Sequence, residues 1–203
     1  MKQLGLQKTH WKHRYSYGGT LRQKRAGRGM RPLSTRQPLH LVLKARKEKI
    51  KYGFRTYKRF YLIHQILQKY SYRFFIKVEQ ISIQGDHIHL LLRTTRRSNY
   101  QSFFRVFSGQ IAQRFQKEGL LTAEVGNAAK PGVTDTPSGE EKSSRTRGVW
   151  KHRPFTRVVL GVRAYKTVRD YIQLNEQEAL GVIPYRAERL RGLSKSEWKI
   201  LWC

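Results

Sequence analysis

The sequence predicts an α+β fold, a ferredoxin-like split βαβ antiparallel sheet followed by a C-terminal helix that bears a tyrosine. Three observations carry this. Four short segments have strand character, three longer ones repeat apolar residues at helical spacing, and they follow one another as β-α-β-β-α-β-α. No internal repeat interrupts the order.

The first strand is "PLHLVLKAR" from Pro38, with Leu39, Leu41 and Leu43 on one side and His40, Val42 and Lys44 on the other. A basic turn region follows. In "YKRFYLIHQILQKYSY", Phe60, Ile63, Leu67 and Tyr70 fall three and four apart, which predicts a helix. "RFFIKVEQISIQ" is rich in β-branched and aromatic residues and reads as a strand. Gln84-Gly85-Asp86 is a tight turn, and "HIHLLLRTT" returns as its partner. The second helix, "SNYQSFFRVFSGQIAQRFQKEG", carries Phe103, Phe104, Phe107, Ile111 and Phe115 on one face. Ser98 is its expected N-cap, and Gly119 ends it. Residues 122–147 are rich in Gly, Pro, Ser and Thr, lack aromatics, and read as a mobile insertion. A strand resumes from about Phe155, and "RAYKTVRDYIQLNEQEAL" is the last long helix, ended by Gly181. The tail, residues 182–203, has the pattern of a short terminal helix.

Lys and Arg number 42 against 13 Asp and Glu, a formal charge of +29. Such an excess repels itself and favours a polyanionic partner. Nucleic acid ranks first, an anionic membrane surface second and a merely solvated surface third. Residues 1–37 contain no acid at all and read as a basic arm that orders on a phosphate backbone. No stretch approaches the roughly 20 apolar residues that span a bilayer. The single cysteine, Cys203, leaves no disulfide within one chain, as in a reducing compartment. These features lead to the expectation of a soluble cytoplasmic protein.

"GDHIHLLLR" poses the chemical question. Two apart on a strand, His87 and His89 project to one face while Ile88 turns to the other. Two neutral imidazoles on one pleat hold a divalent cation from adjacent corners, and Mg²⁺ or Mn²⁺ asks in addition for an oxygen ligand. Strand histidines are more often ordinary packing residues, so the pair alone decides little. On the last long helix, Tyr171 and Asn175 lie four apart on one face, with Val168, Ile172 and Leu174 as apolar anchors. Laid over the histidine face, this helix would bring Asn175 as the oxygen ligand and the Tyr171 phenol beside the ion. Tyr165, on the same helix, is the rival phenol.

These motifs resemble a known family. "GDHIHLLL" resembles the His-hydrophobic-His signature of the single-tyrosine HUH transposases of small bacterial insertion sequences, and "YIQLN" resembles their tyrosine motif. "VWKHRPFTRVV" is similar to the strand before the tyrosine helix in the REP-associated branch. The resemblance runs from about His40 to Gly181 with a gap over the insertion, making residues 38–181 the expected catalytic domain. Asp86 stands where Asn is common, Glu176 where Pro often follows the helix Asn, and the loop between Gly119 and Val149 is long.

The resemblance implies a bacterial, nucleoid-associated transposase that cuts and transfers single-stranded DNA through a 5′-phosphotyrosine. Tyr171 would be the nucleophile, and His87, His89 and Asn175 would be ligands of Mg²⁺ or Mn²⁺. It also implies a homodimer, since excision needs two cleavages and each chain offers one tyrosine. The substrate is expected to be single-stranded, or a hairpin with unpaired flanks. Arg22, Lys24, Arg25, Arg28 and Arg31 are the expected phosphate contacts, with Arg105 on the second helix as a further one. Trp11, Tyr15 and Tyr17 are candidates for stacking on unpaired bases. The competing class is a non-catalytic or domesticated basic DNA- or RNA-binding protein on the same fold. Charge and aromatics suit it equally well, but it leaves the order of His87, His89, Tyr171 and Asn175 without a reason.

Overall fold

The computed structural model of the chain describes residues 14–24, 30–50, 52–122 and 148–202, leaving aside the side chains of 22–24 and 202. The strands are β1 (Ser16–Tyr17), β2 (Leu39–Lys44), β3 (Lys77–Ile83), β4 (His87–Arg93) and β5 (Phe155–Val158). The helices are α1 (Tyr57–Arg73), α2 (Arg97–Lys117), α3 (Gly161–Ala179) and α4 (Lys195–Trp202). The sheet runs β1-β5-β2-β4-β3, and every ladder in it is antiparallel. Because β4 sits between β2 and β3, the unit β2-α1-β3 is a βαβ crossover split by an inserted strand. The expected ferredoxin-like order is the one the chain adopts.

Strand alternation separates the two faces of the sheet. Leu39, Leu41 and Leu43 pair across β2 and β4 with Leu92, Leu90 and Ile88. All six are buried in the main core, packed against Ile63 and Leu67 of α1 and Phe103, Phe107, Ile111 and Phe115 of α2. The intervening residues, His40 on β2 and His89 and Leu91 on β4, face the other way. On that side Leu91 joins Val159 and Ile172 of α3 in a second, smaller cluster. A third cluster, Leu174, Ile183 and Leu201, fastens α4 and the preceding tail to α3.

Phe107 is fully buried and its ring stacks on Phe103 at 5.1 Å between centroids. Phe107→Ala is expected to destabilise the fold by about 3–5 kcal/mol, transfer and cavity effects together. Urea titration of the variant against the parent checks this.

Three local features differ from, or refine, the sequence expectation. Part of the N-terminal segment is built into the sheet: Ser16 and Tyr17 pair with Arg157 and Thr156 as an edge strand. Gly18 follows at φ +84°, where a Cβ would lie 2.1 Å from the Pro154 carbonyl oxygen, so only glycine turns the chain there. Helix α2 begins at Arg97 with Arg96 in the cap position, placing Ser98 inside the first turn; Ser98 is not the N-cap. Its far end is as expected, with Gly119 at φ +64° and the Leu120 N–H returning to the Phe115 carbonyl. The remaining arm residues 1–13 and 25–29, and the expected insertion beyond Thr122, lie outside the described residues. Among the described residues no helix is long and apolar enough to cross a membrane.

Candidate active site

His87 opens β4, and His89 follows on the same face. The imidazole centroids are 4.8 Å apart, with the rings nearly perpendicular. His87 is held through Nδ1 by the Asp86 carboxylate at 2.6 Å. Burial alone would raise the Asp86 carboxyl. The hydrogen bond to His87 and the charges of His87, Lys44 and Lys47 outweigh it and hold the group below its usual value. A carboxylate accepts only, so the proton shared in this contact is carried by Nδ1 of His87.

His89 is buried, and its Nδ1 lies 3.0 Å from Nε2 of His40 on β2. Register explains the contact: Val42 is directly opposite His89, which makes His40 its diagonal neighbour on the same face. Burial, with the charges of His40, His87 and Arg189, pushes His89 well below the ordinary histidine value. Burial and the Arg157 charge push His40 down to about 4. Both rings are therefore neutral near pH 7. Nε2 of His89 is buried and has no hydrogen-bond partner.

Helix α3 lies over this face. Leu91, Val159 and Ile172 pack beneath it, and polar contacts with β3 fix its position along the sheet. Gln80 bonds Gln173. Gln84 donates to the Asn175 carbonyl at 2.6 Å, and Glu176 accepts from the Ile83 N–H at 3.1 Å while pairing with Arg55 at 2.9 Å. The Tyr171 ring consequently stands edge-on to His89, 5.7 Å between centroids. Tyr165 is half-buried further back, with the Arg93 guanidinium over its ring. Beside Tyr171 opens a cleft of about 450 Å³, lined by His40, Phe155, Arg157, Val168 and Arg189 among others.

Residues 35–127 match the model of the family described as Transposase IS200 like. Over that segment, a little under half of the chain, the sequence is similar to the IS200-like transposases. The segment holds the histidine strand; α3 with Tyr171 lies beyond it. A solved structure of a REP-associated tyrosine transposase bound to a REP hairpin aligns with TM-score 0.52 and 11% identity, covering 78% of this chain and 76% of that one. At that identity the likeness is one of fold. A Deinococcus radiodurans protein described as a transposase aligns with TM-score 0.39 and 14% identity over 75% of this chain and 98% of its own. No curated protein matches the chain.

The fold brings His87, His89 and Tyr171 together and sets Asn175 one turn beyond. The Asn175 side-chain oxygen accepts a hydrogen bond from Arg189, and its Nδ2 is buried without a partner. Arg189 reaches Asn175 from a left-handed backbone at φ +58°, pairs with Glu178 at 2.7 Å, and lies over the Tyr171 and Tyr185 rings. A divalent ion at Asn175 would share that oxygen with the guanidinium or displace it. Among the described residues no group of three or more His, Cys, Asp or Glu side chains is arranged to hold a metal.

The expected phosphate contacts divide differently. Arg25 and Arg28 lie outside the described residues, as do the side chains of Arg22 and Lys24. The Arg31 guanidinium lies between the Tyr17 and Phe104 rings and bonds Thr156, so it pins the N-terminal segment to the body. Tyr17 is engaged in the same contact, whereas Tyr15 is exposed. Arg105 is exposed on α2, in the helical layer on the opposite face of the sheet from Tyr171. Trp11 is outside the described residues.

His40 and Arg189 are absent from the sequence reading of the site. His40 had a signal, a polar residue between Leu39 and Leu41 on a strand that turns out to be internal. Arg189 had none, because it enters through a turn of the tail.

Proposed function

We propose that the chain cleaves and rejoins single-stranded DNA, with Tyr171 as nucleophile, on hairpin substrates with unpaired flanks. The observation that carries this reading is the Tyr171 ring against His89, a buried imidazole whose Nε2 has no partner. The transposase segment and the hairpin-bound structural neighbour support it.

His87 and His89 suit Mg²⁺ or Mn²⁺, because both present an imidazole on one pleat with Nδ1 engaged elsewhere. Asn175 would join them once its oxygen is shared with or released by Arg189. Bound there, the ion would neutralise charge developing on the phosphoryl oxygens.

An ordinary phenol, pKa about 10, is a weak nucleophile at neutral pH. Tyr171 is compensated by position, held at the mouth of the cleft. Its Oη bonds to phosphorus as the P–O3′ bond breaks, and the phenolic proton ends on the released 3′-hydroxyl. The phosphodiester energy is retained in the 5′-phosphotyrosine, so attack by another 3′-hydroxyl rejoins the strand without ATP. One Tyr171 per chain and two cleavages per excision make a homodimer the proposed working unit.

Purified protein incubated with labelled single-stranded hairpin DNA and Mn²⁺ should give a covalent adduct on a denaturing gel. Its absence across a panel of hairpin sequences, despite tight binding, would support the non-catalytic reading.

Arg22, Lys24, Arg25 and Arg28 are proposed to contact the stem phosphates. Replacing all four with Gln should weaken hairpin binding and flatten the slope of log affinity against log salt by about 0.7 to 0.9 for each phosphate no longer neutralised. An unchanged slope, measured by fluorescence anisotropy, would mean these residues are only solvated.

A further inference from the structure

We propose that His40 is a positioning residue for the cation site, holding His89 in the tautomer that leaves Nε2 bare. The inference rests on the cation reading of His87 and His89 and adds a residue to it.

The contact between the two rings is a directed hydrogen bond. The centroids are 5.3 Å apart, the planes differ by only 14°, and the nitrogens approach to 3.0 Å. Face-to-face rings at that separation would not bring one nitrogen of each within hydrogen-bond distance. Nearly coplanar rings meeting edge to edge do, and there the lone pair of one nitrogen lies on the N–H axis of the other.

Two proton placements satisfy this bond, and they differ in what they leave at the site. If His40 donates from Nε2, His89 accepts at Nδ1 and carries its own proton on Nε2. That proton is then a buried donor with no acceptor, since Nε2 has no partner, and an imidazole protonated there cannot ligate a cation. If His89 donates from Nδ1, His40 accepts at Nε2 and keeps its proton on Nδ1. Nε2 of His89 then holds a lone pair, the state a divalent cation requires.

His87, two residues away on the same face, has its Nδ1 engaged by a different partner, the Asp86 carboxylate. The two histidines thus have separate Nδ1 acceptors, a carboxylate from the turn for one and a neutral imidazole from β2 for the other. A carboxylate acceptor for His89 would place another anion in a buried site. A neutral ring supplies the acceptor without adding charge.

The test has two readouts. Long-range ¹H–¹⁵N spectra of the metal-free protein, with His89 assigned through His89→Gln, should show His89 as the Nδ1–H tautomer. Calorimetric titration with Mn²⁺ alone should show binding weakened about 10- to 100-fold in His40→Leu, the range typical of losing an outer partner of a ligating histidine. His40→Gln, whose side-chain oxygen again offers an acceptor, should recover most of that loss and retain the tautomer. Circular dichroism confirms that both variants are folded. An Nε2–H tautomer in parent protein that binds Mn²⁺, or equal affinities in the parent and His40→Leu, overturns this inference alone. A parent protein with no Mn²⁺ binding overturns the cation reading, and this inference with it.

Discussion

Tyr171→Phe is expected to abolish the covalent protein–DNA adduct while leaving folding and hairpin binding intact. The substitution keeps the ring that stands edge-on to His89 and under Arg189, and with it the packing against Leu91, Val159 and Ile172. It removes only the phenolic oxygen proposed as the nucleophile. Tyr165→Phe should form the adduct as the parent does, because that ring lies away from the histidines under Arg93. Only Tyr171 has an amide one turn on, at Asn175; the residue four beyond Tyr165 is Arg169. Mass spectrometry of a trapped complex that placed the nucleotide on Tyr165 would reverse the assignment.

Replacing both His87 and His89 with Ala should lower the cleavage rate by on the order of 10³-fold or more. That corresponds to about 4 kcal/mol of transition-state stabilisation, within what a divalent ion supplies to phosphoryl chemistry. Affinity for hairpin DNA should change little, because phosphate contacts elsewhere provide it. Cleavage undiminished in the double variant, measured in single turnover with Mn²⁺, would sink the cation assignment.

Most of the fold was legible because its long elements obey simple periods. Leu39, Leu41 and Leu43 alternate, and Phe103, Phe104, Phe107, Ile111 and Phe115 keep helical spacing. Those residues form the core found. Helical spacing allowed the Tyr171 face to lie over the histidines and the family resemblance implied it; in the structure His89 and Tyr171 are neighbours. What could not be read depended on strand order. His40 reaches His89 only because β2 pairs with β4, a pairing between segments far apart in sequence. β1 was hidden for another reason: Tyr15 and Tyr17 alternate before Gly18-Gly19, but the surrounding charge outweighed a two-residue pattern. The hold of Arg189 on Asn175 depends on a left-handed turn at a residue with no local preference for it.

The pairing of β2 with β5 joins Leu39 to Val158 and so ties a loop across almost the whole body of the protein. The cost of closing such a loop in chain entropy grows only with the logarithm of its length, about 0.6 kcal/mol per doubling. Doubling the length of chain between Thr122 and Gly148 would therefore add only about that much to the closure cost. Helix α3 is registered against the sheet by Gln80, Ile83 and Gln84, none of which belongs to that connection. Added length in this stretch is therefore expected to leave the tyrosine where it stands relative to the histidines.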